Sequence, residues 1–222
     1  MSRVQLFATC LGDLLFPDAV ADAEALLRAA GCEVAFPRGQ TCCGQPAFNA
    51  GHRRASDRLA RSFARAFDPD VPIVAPSGSC TSMVAHHMAA RFDVRELSSF
   101  LDELGAQPPA RNDGLRLAYH SSCHMLRDLG VDDAPRRLLE RTGAELVPLQ
   151  RPDLCCGFGG TFSVRHPEVS VAMADDKLAD GARADALVTA DPGCLMHLQA
   201  RAARTGAVRV VHLATALARG AA

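Results

Sequence analysis

The chain has 222 residues, of which 48% are hydrophobic and 22% charged, and its net charge is −1. That length can bury a core without disulfide staples, and that composition is an ordinary globular protein's, so a disordered or fibrous chain is excluded. No basic excess points to nucleic acid, no acidic tail to a charge-driven partner, and no run approaches the roughly 18 apolar residues of a transmembrane segment.

The opening MSRVQLFATCLGDLLF carries one early positive charge, Arg3, is interrupted by Asp13, and is followed by no small-residue cleavage site. It is expected to be a strand running into a loop rather than a signal peptide. The chain is then expected to be cytoplasmic, where thiols stay reduced and nine cysteines do not form a disulfide framework. A strand near residues 4–8 leads to Cys10. A helix in AEALLRAAGCEVAFP, residues 23–37, is stopped by Gly31 and followed by a short strand near 33–36. Cys42 and Cys43 come next in GQTCCGQPAFNAG, and a buried strand near 71–75, in VPIVAPSGSC, leads to Cys80. VRELSSFLDEL closes this series, and GAQPPARNDG, residues 105–114, has the Pro, Gly and polar composition of a linker.

The series then runs again. LRLAYHSSC leads to Cys123, RRLLERTGAELVPL (136–149) is broken by Gly143, DLCCGFGGTFS carries Cys155 and Cys156, ADALVTADPGC ends at Cys194, and VRVVHLATALA matches the earlier tail. Cys42 follows Cys10 by 32 positions, as Cys155 follows Cys123; Cys80 follows Cys43 by 37, and Cys194 follows Cys156 by 38. Eight of the nine cysteines therefore form one pattern written twice, an internal duplication with a period of about 113 residues. The repeats are read as residues 1–104 and 115–222, joined by the 105–114 linker.

Alternation of strand and helix in each repeat predicts an α/β fold: two pseudo-symmetric halves with parallel or mostly parallel sheets. Ligands in such sheets gather at loops leaving the strands' carboxyl ends, where the cysteines fall. The thiols are expected to converge there.

Converged cysteines could be core residues, disulfides, zinc ligands or iron–sulfur ligands. A lone one, such as Cys32, is read as a small buried hydrophobe. A disulfide within a vicinal pair closes a strained ring. Structural zinc usually shows C-x₂₋₄-C spacing, which neither repeat has, although four cysteines per half could form a Cys₄ site. Adjacent thiolates suit a centre offering several iron atoms, and the glycines of PSGSC, CCGFGG and DPGC leave backbone N–H groups free to reach the sulfurs. Iron–sulfur ligation by Cys10, Cys42, Cys43, Cys80, Cys123, Cys155, Cys156 and Cys194 is the favoured reading, with zinc as the alternative.

The doubled CCG pattern resembles the cysteine-rich CCG domains of heterodisulfide reductase and of the glycolate oxidase iron–sulfur protein. More narrowly, TCLGDLLFP, FPRGQTCCGQPAFNAG, PSGSCTSM, SSCHMLRDLG, CCGFGGTFSV and GCLMHL resemble the lactate utilisation protein A family over nearly the whole chain. The resemblance implies a cytoplasmic iron–sulfur electron-transfer protein, with one or two clusters of the [4Fe–4S] kind per chain, acting with lactate utilisation proteins B and C in oxidising L-lactate to pyruvate. In heterodisulfide reductase each CCG motif holds a noncubane cluster through five cysteines, the last two spaced CxxC. Here Met83 and His197 stand where that fifth cysteine would fall. A thioether there is expected to pack, whereas imidazole is a possible metal ligand that raises a cluster's potential.

His120 and His124 flank Cys123, and with His197 they are candidates to accept the lactate hydroxyl proton, His124 first among them. Arg127 is the candidate partner for a substrate carboxylate. His52 and His212 are read as structural, and His86 and His87 as decorating the helix after Cys80. GFGG completes neither the dinucleotide fingerprint nor a P-loop. Two other functions stay open: a thiol–disulfide reductase of the heterodisulfide type, and a non-redox zinc scaffold.

Overall fold

The computed structural model describes residues 2–88 and 92–222; Met1 and residues 89–91, which the first repeat was read to include, lie outside them. In the first half β1 (Arg3–Leu6), β2 (Glu33–Ala35), β3 (Ile73–Ala75) and β4 (Val94–Glu96) form a parallel sheet in the order β2-β1-β3-β4. In the second half β5 (Arg116–His120), β6 (Glu145–Leu146), β7 (Ala186–Thr189) and β8 (Arg209–His212) repeat that order as β6-β5-β7-β8, again all parallel. The register pairs Val4 with Val34 and Leu6 with Val74, and later Leu117 with Leu146 and His120 with Thr189. β3 and β7 are buried along their whole length, as expected of strands covered on both faces.

The connecting helices are α1 (Cys10–Leu15), α2 (Pro17–Ala29), α3 (Gln45–Asn49), α4 (Arg53–Ala66), α5 (Gly78–His87) and α6 (Leu97–Glu103). The second half has a π-helical turn (His124–Asp128), α7 (Asp133–Arg141), α8 (Thr161–Arg165), α9 (Pro167–Asp180), α10 (Pro192–Thr205) and α11 (Leu213–Ala218). Gly31 and Gly143 lie just beyond α2 and α7 with φ of 84° and 85°, a left-handed conformation that glycine adopts without steric cost.

The halves are not beads on a string. α2 packs on α11 and α6 on α7, and one buried cluster draws Leu26 and Leu101 from the first half together with Tyr119, Leu138 and Leu217 from the second. Two ionic clasps mark the same seams. Asp102 accepts from Arg137 (2.6 Å) and Arg141 (2.7 Å), and Asp22 accepts from Arg219 (2.6 Å) and the Thr215 hydroxyl (2.9 Å). Each fully buried leucine contributes about 1.5–3 kcal/mol and each half-exposed ion pair about 0.2–1 kcal/mol, so apolar burial holds the halves together.

The 105–114 stretch is a strap tied to the second half rather than a free tether. Buried Asn112 donates to Thr142 Oγ1 (2.9 Å) and to the Ala216 carbonyl (3.0 Å), and accepts from Ala221 N (2.8 Å).

Candidate metal centre

All eight repeated cysteines line one cleft of about 360 Å³ at the carboxyl ends of both sheets. Cys10 follows β1 as the first residue of α1. It is delivered by a turn at Thr9, whose φ of 65° is the single positive value on a non-glycine residue among the described ones. Such a conformation costs a β-branched residue about 1–3 kcal/mol and persists only where its surroundings hold it; Thr9 Oγ1 accepts from Gly12 N (3.2 Å). Cys80 and Cys194 sit in the first turns of α5 and α10. Ser77 Oγ accepts from Cys80 N (3.3 Å), and Asp191 Oδ1 accepts from Gly193 N (3.0 Å) and Cys194 N (3.4 Å).

The glycine of each CCG has a definite task. Gly44 and Gly157 have φ of 91° and 89°, and that left-handed turn brings each N–H back onto the sulfur two residues earlier: Gly44 to Cys42 Sγ and Gly157 to Cys155 Sγ, both at 3.4 Å.

Each quartet descends from the rim to the core. Cys10 is exposed, Cys42, Cys123 and Cys155 are half-buried, and Cys43, Cys80, Cys156 and Cys194 are buried. Cys10 and Cys42 sulfurs lie 3.5 Å apart, and Cys156 and Cys194 sulfurs 3.2 Å. Hydrogen bonding from Cys10, with help from Cys43 and the Gly44 N–H, holds the Cys42 thiol down to about 3. The same bonding from Cys123 and Cys156 holds Cys155 down to about 2. Their partners move the other way: Cys10, Cys43, Cys123 and Cys156 are all raised, chiefly by donating to those sulfurs. Cys42 and Cys155 are thus the sulfurs their neighbours favour as thiolates, and a cation in the cleft would let the sulfurs that donate to them share negative charge.

A second feature fits a metal group. His120 is fully buried, its two ring nitrogens have no hydrogen-bond partner among the described residues, and burial lowers its pKa to about 4, which keeps the ring neutral. Its ligand atom and those of Cys156 and Cys194 lie within 4.8 Å of one another. Buried polar atoms are rarely left unpaired, and these nitrogens are free to take a partner from outside the described residues.

The family profile of the CCG cysteine-rich domain matches residues 4–85 and again residues 117–199. Proteins named lactate utilization protein A align end to end. The one from Geobacillus kaustophilus HTA426 is 42% identical, covering 97% of this chain and 98% of its own, and that from Oceanobacillus iheyensis is 39% identical, covering 95% and 94%. The chain belongs to the lactate utilization protein A family. The fold alone is shared with a hypothetical protein from Helicobacter pylori of known crystal structure (TM-score 0.61, 10% identity), in which this chain covers 48% of the length.

Within this family member the other expected site residues fall in different places. His124 lines the cleft. Gln45 spends one amide hydrogen on the Ser79 carbonyl (3.2 Å) and the other on His124 Nε2 (2.9 Å), which leaves the imidazole proton on Nδ1, 3.6 Å from Cys123 Sγ. The Arg127 guanidinium donates to the Asp153 carbonyl (3.2 Å) and is not among the residues lining the cleft. His197 Nε2 lies 3.2 Å from Ser170 Oγ and 3.3 Å from the Ser170 carbonyl, so that nitrogen has a partner on α9. Met83 is packed among Phe7, Cys43 and Cys80. Cys32 is buried in the core cluster shared by both halves, and His212 caps α11 and reaches the Pro76 carbonyl (3.2 Å).

Three site residues were not anticipated: Gln45, Phe158 and Asp191. Asp191 Oδ2 crosses between halves to accept from Ser79 N (2.8 Å), so one carboxylate caps two cysteine-bearing helices. A signal existed, since Asp191 stands three residues before Cys194 where Ser77 stands before Cys80, and both are good helix caps.

Proposed function

We propose that this chain is the iron–sulfur electron-transfer subunit of a cytoplasmic complex that oxidises L-lactate to pyruvate, with lactate utilisation proteins B and C as its partners. The observation that carries the reading is the meeting of two four-cysteine sets in one cleft, each with a glycine N–H aimed at a half-buried sulfur. Cys10, Cys42, Cys43 and Cys80 would hold one [4Fe–4S]-type cluster and Cys123, Cys155, Cys156 and Cys194 a second; bound there, such a group supplies one-electron storage at a potential set by its surroundings. The names of the aligned relatives supply the substrate.

Oxidation of lactate to pyruvate releases two protons and two electrons, and two centres per chain match the electron count. The residues of this chain have the remaining tasks. Asp191 and Ser77 fix the helices that present Cys194 and Cys80, and His124 donates to Cys123 while Gln45 sets its tautomer. In this reading His124 is also the candidate to take the hydroxyl proton. Arg127 becomes a candidate for the substrate carboxylate by releasing the Asp153 carbonyl.

The test is anaerobic purification with quantitation of iron, sulfide and zinc for the wild type, Cys42→Ser and Cys155→Ser. The expected result is close to eight iron atoms per chain in the wild type, about half that in each variant, and loss of lactate-dependent growth for both. Stoichiometric zinc without sulfide would replace the reading with a zinc scaffold. Reduction of a disulfide substrate without any lactate phenotype would replace it with a thiol–disulfide reductase.

A further inference from the structure

The halves place their cysteines alike and line the floor beneath them differently. Aligned on Cys10 and Cys123, Phe7 of the first half corresponds to His120 of the second. Aligned along α4 and α9, Phe63 corresponds to Lys177. In the first half Phe7 and Phe63 meet edge to face (5.2 Å between centroids) in one apolar cluster with Cys43 and Cys80. In the second half both equivalents are polar and fully buried. Lys177 Nζ donates to the Arg151 carbonyl (2.8 Å) and lies 3.8 Å from Asp180, while the His120 nitrogens have no hydrogen-bond partner among the described residues.

We infer that His120 supplies a nitrogen ligand to an iron of the second centre, making it a mixed thiolate–imidazole centre beside an all-thiolate one in the first half. The inference rests on the iron–sulfur reading above and adds to it a ligand. Three observations converge. The His120 donor atom lies within 4.8 Å of the Cys156 and Cys194 sulfurs. Metal–nitrogen and metal–sulfur bonds of about 2.0–2.3 Å place tetrahedral neighbours roughly 3.3–3.8 Å apart, a spacing inside the 4.8 Å within which the three donor atoms lie. The imidazole is buried with no hydrogen-bond partner for either nitrogen among the described residues, whereas His197 Nε2 lies against Ser170 and both nitrogens of His124 have partners in Gln45 and Cys123.

The imidazole joins four thiolates as a fifth donor and displaces none, so it would add a nitrogen ligand without changing the charge of the ligand set. The charges around it oppose one another: Lys177 lies 3.8 Å from the buried Asp180 carboxylate, and Asp191 stands before Cys194 where the first half has the neutral Ser77.

The experiment uses the full chain, loaded anaerobically with iron and sulfide and grown on ¹⁵N-histidine or on unlabelled histidine, then reduced stepwise with dithionite for EPR-detected nuclear hyperfine spectroscopy. The expected result is a directly coupled histidine nitrogen on one of the two centres only. It should persist in His197→Ala and His124→Ala and disappear in His120→Phe, the first half's own residue, and in His120→Gln. The potential of that centre should shift in both His120 variants while the other centre's stays in place. Because the isotope comparison is made on the wild type, it decides even where a variant fails to fold. A loaded cluster lacking the nitrogen coupling, or a coupling lost with His197→Ala, overturns the ligand assignment while leaving the electron-transfer reading standing. A wild type that takes up no iron and sulfide overturns both.

Discussion

The first half surrounds its cysteines with phenylalanine and the second with histidine and lysine, although the sulfurs themselves keep one arrangement. The difference extends to the far end of each sheet. Glu96 and His212 are the last residues of β4 and β8 and cap the helices that follow, Glu96 accepting from Ser98 N (2.8 Å) and His212 from Ala214 N (3.1 Å). The same turn is thus closed by an acid in one half and an imidazole in the other. Both halves keep a side-chain acceptor at this cap and cysteines in the connections after their first three strands, while the charge around these groups differs. Geometry was kept by both halves while electrostatics diverged.

The largest test of that contrast is steric. A Cβ on Gly157 would lie 2.5 Å from the Ser170 carbonyl and 2.9 Å from Met173 Cβ, whereas at Gly44 the nearest atoms, Leu59 Cβ and Ser56 Oγ, are at 3.4 Å. Both positions carry the left-handed penalty of about 1–2 kcal/mol, and only Gly157 adds overpacking of about 1–3 kcal/mol. Gly157→Ala is expected to lose about 2–5 kcal/mol in urea denaturation of the metal-free chain, against about 1–2 kcal/mol for Gly44→Ala. Equal losses would show that the CCG turns have the same tolerance.

The caps give the next effect, read as a pH slope. Burial raises the Glu96 carboxyl to about 7 from 4.5, and burial lowers His212 to about 4 from 6.5. The folded protein holds a proton on Glu96 that the unfolded chain has lost. That contribution is full below pH 4.5 and is lost as pH rises through about 7. His212 works in reverse: its contribution is full above pH 6.5 and is lost as pH falls through about 4, and His120 shifts the same way. Each is worth on the order of 3 kcal/mol across its window. In the wild type the slopes oppose between pH 4.5 and 6.5. In Glu96→Gln the acid's slope is gone, so stability should climb with pH more steeply than in the wild type over that interval. Denaturant midpoints at four pH values decide it, and parallel curves for the two proteins would refute the assignment.

The smallest effect concerns the clasps. Asp22→Ala and Asp102→Ala each remove one nearly buried carboxylate from two donors, at an expected cost of about 1–2 kcal/mol apiece. Melting temperatures lowered alike would confirm that the two seams are equivalent. A loss confined to one would locate the stronger seam.

Much of this was legible in the residues. The spacing of eight cysteines exposed the duplication, and strand signals just before Cys10, Cys80, Cys123 and Cys194 placed the sulfurs at one sheet edge because parallel strands all point the same way. Gly31 and Gly143 announced the helix ends. What stayed hidden depends on contacts distant in sequence. That His197 Nε2 meets Ser170 depends on how α9 packs against α10, and that Asp191 serves Ser79 depends on how one half docks on the other. The 105–114 stretch reads as a linker from its Pro, Gly and polar composition, and the burial of Asn112 within it is decided by Thr142, Ala216 and Ala221, which no local pattern connects to it. The replacement of Phe7 by His120 was visible in the aligned repeats. Its meaning needed the distances to Cys156 and Cys194.

The crossing of α2 with α11 and of α6 with α7 has a consequence for the molecule's origin. Under the pseudo-two-fold these two seams are the same seam met twice, which is the signature of an isologous interface. A single-repeat ancestor would have carried both surfaces and paired with its own twin as a homodimer whose one cleft held two identical cysteine sets. Fusion of the genes freed each copy from having to match itself, and only after that could one side keep Phe7 while the other acquired His120.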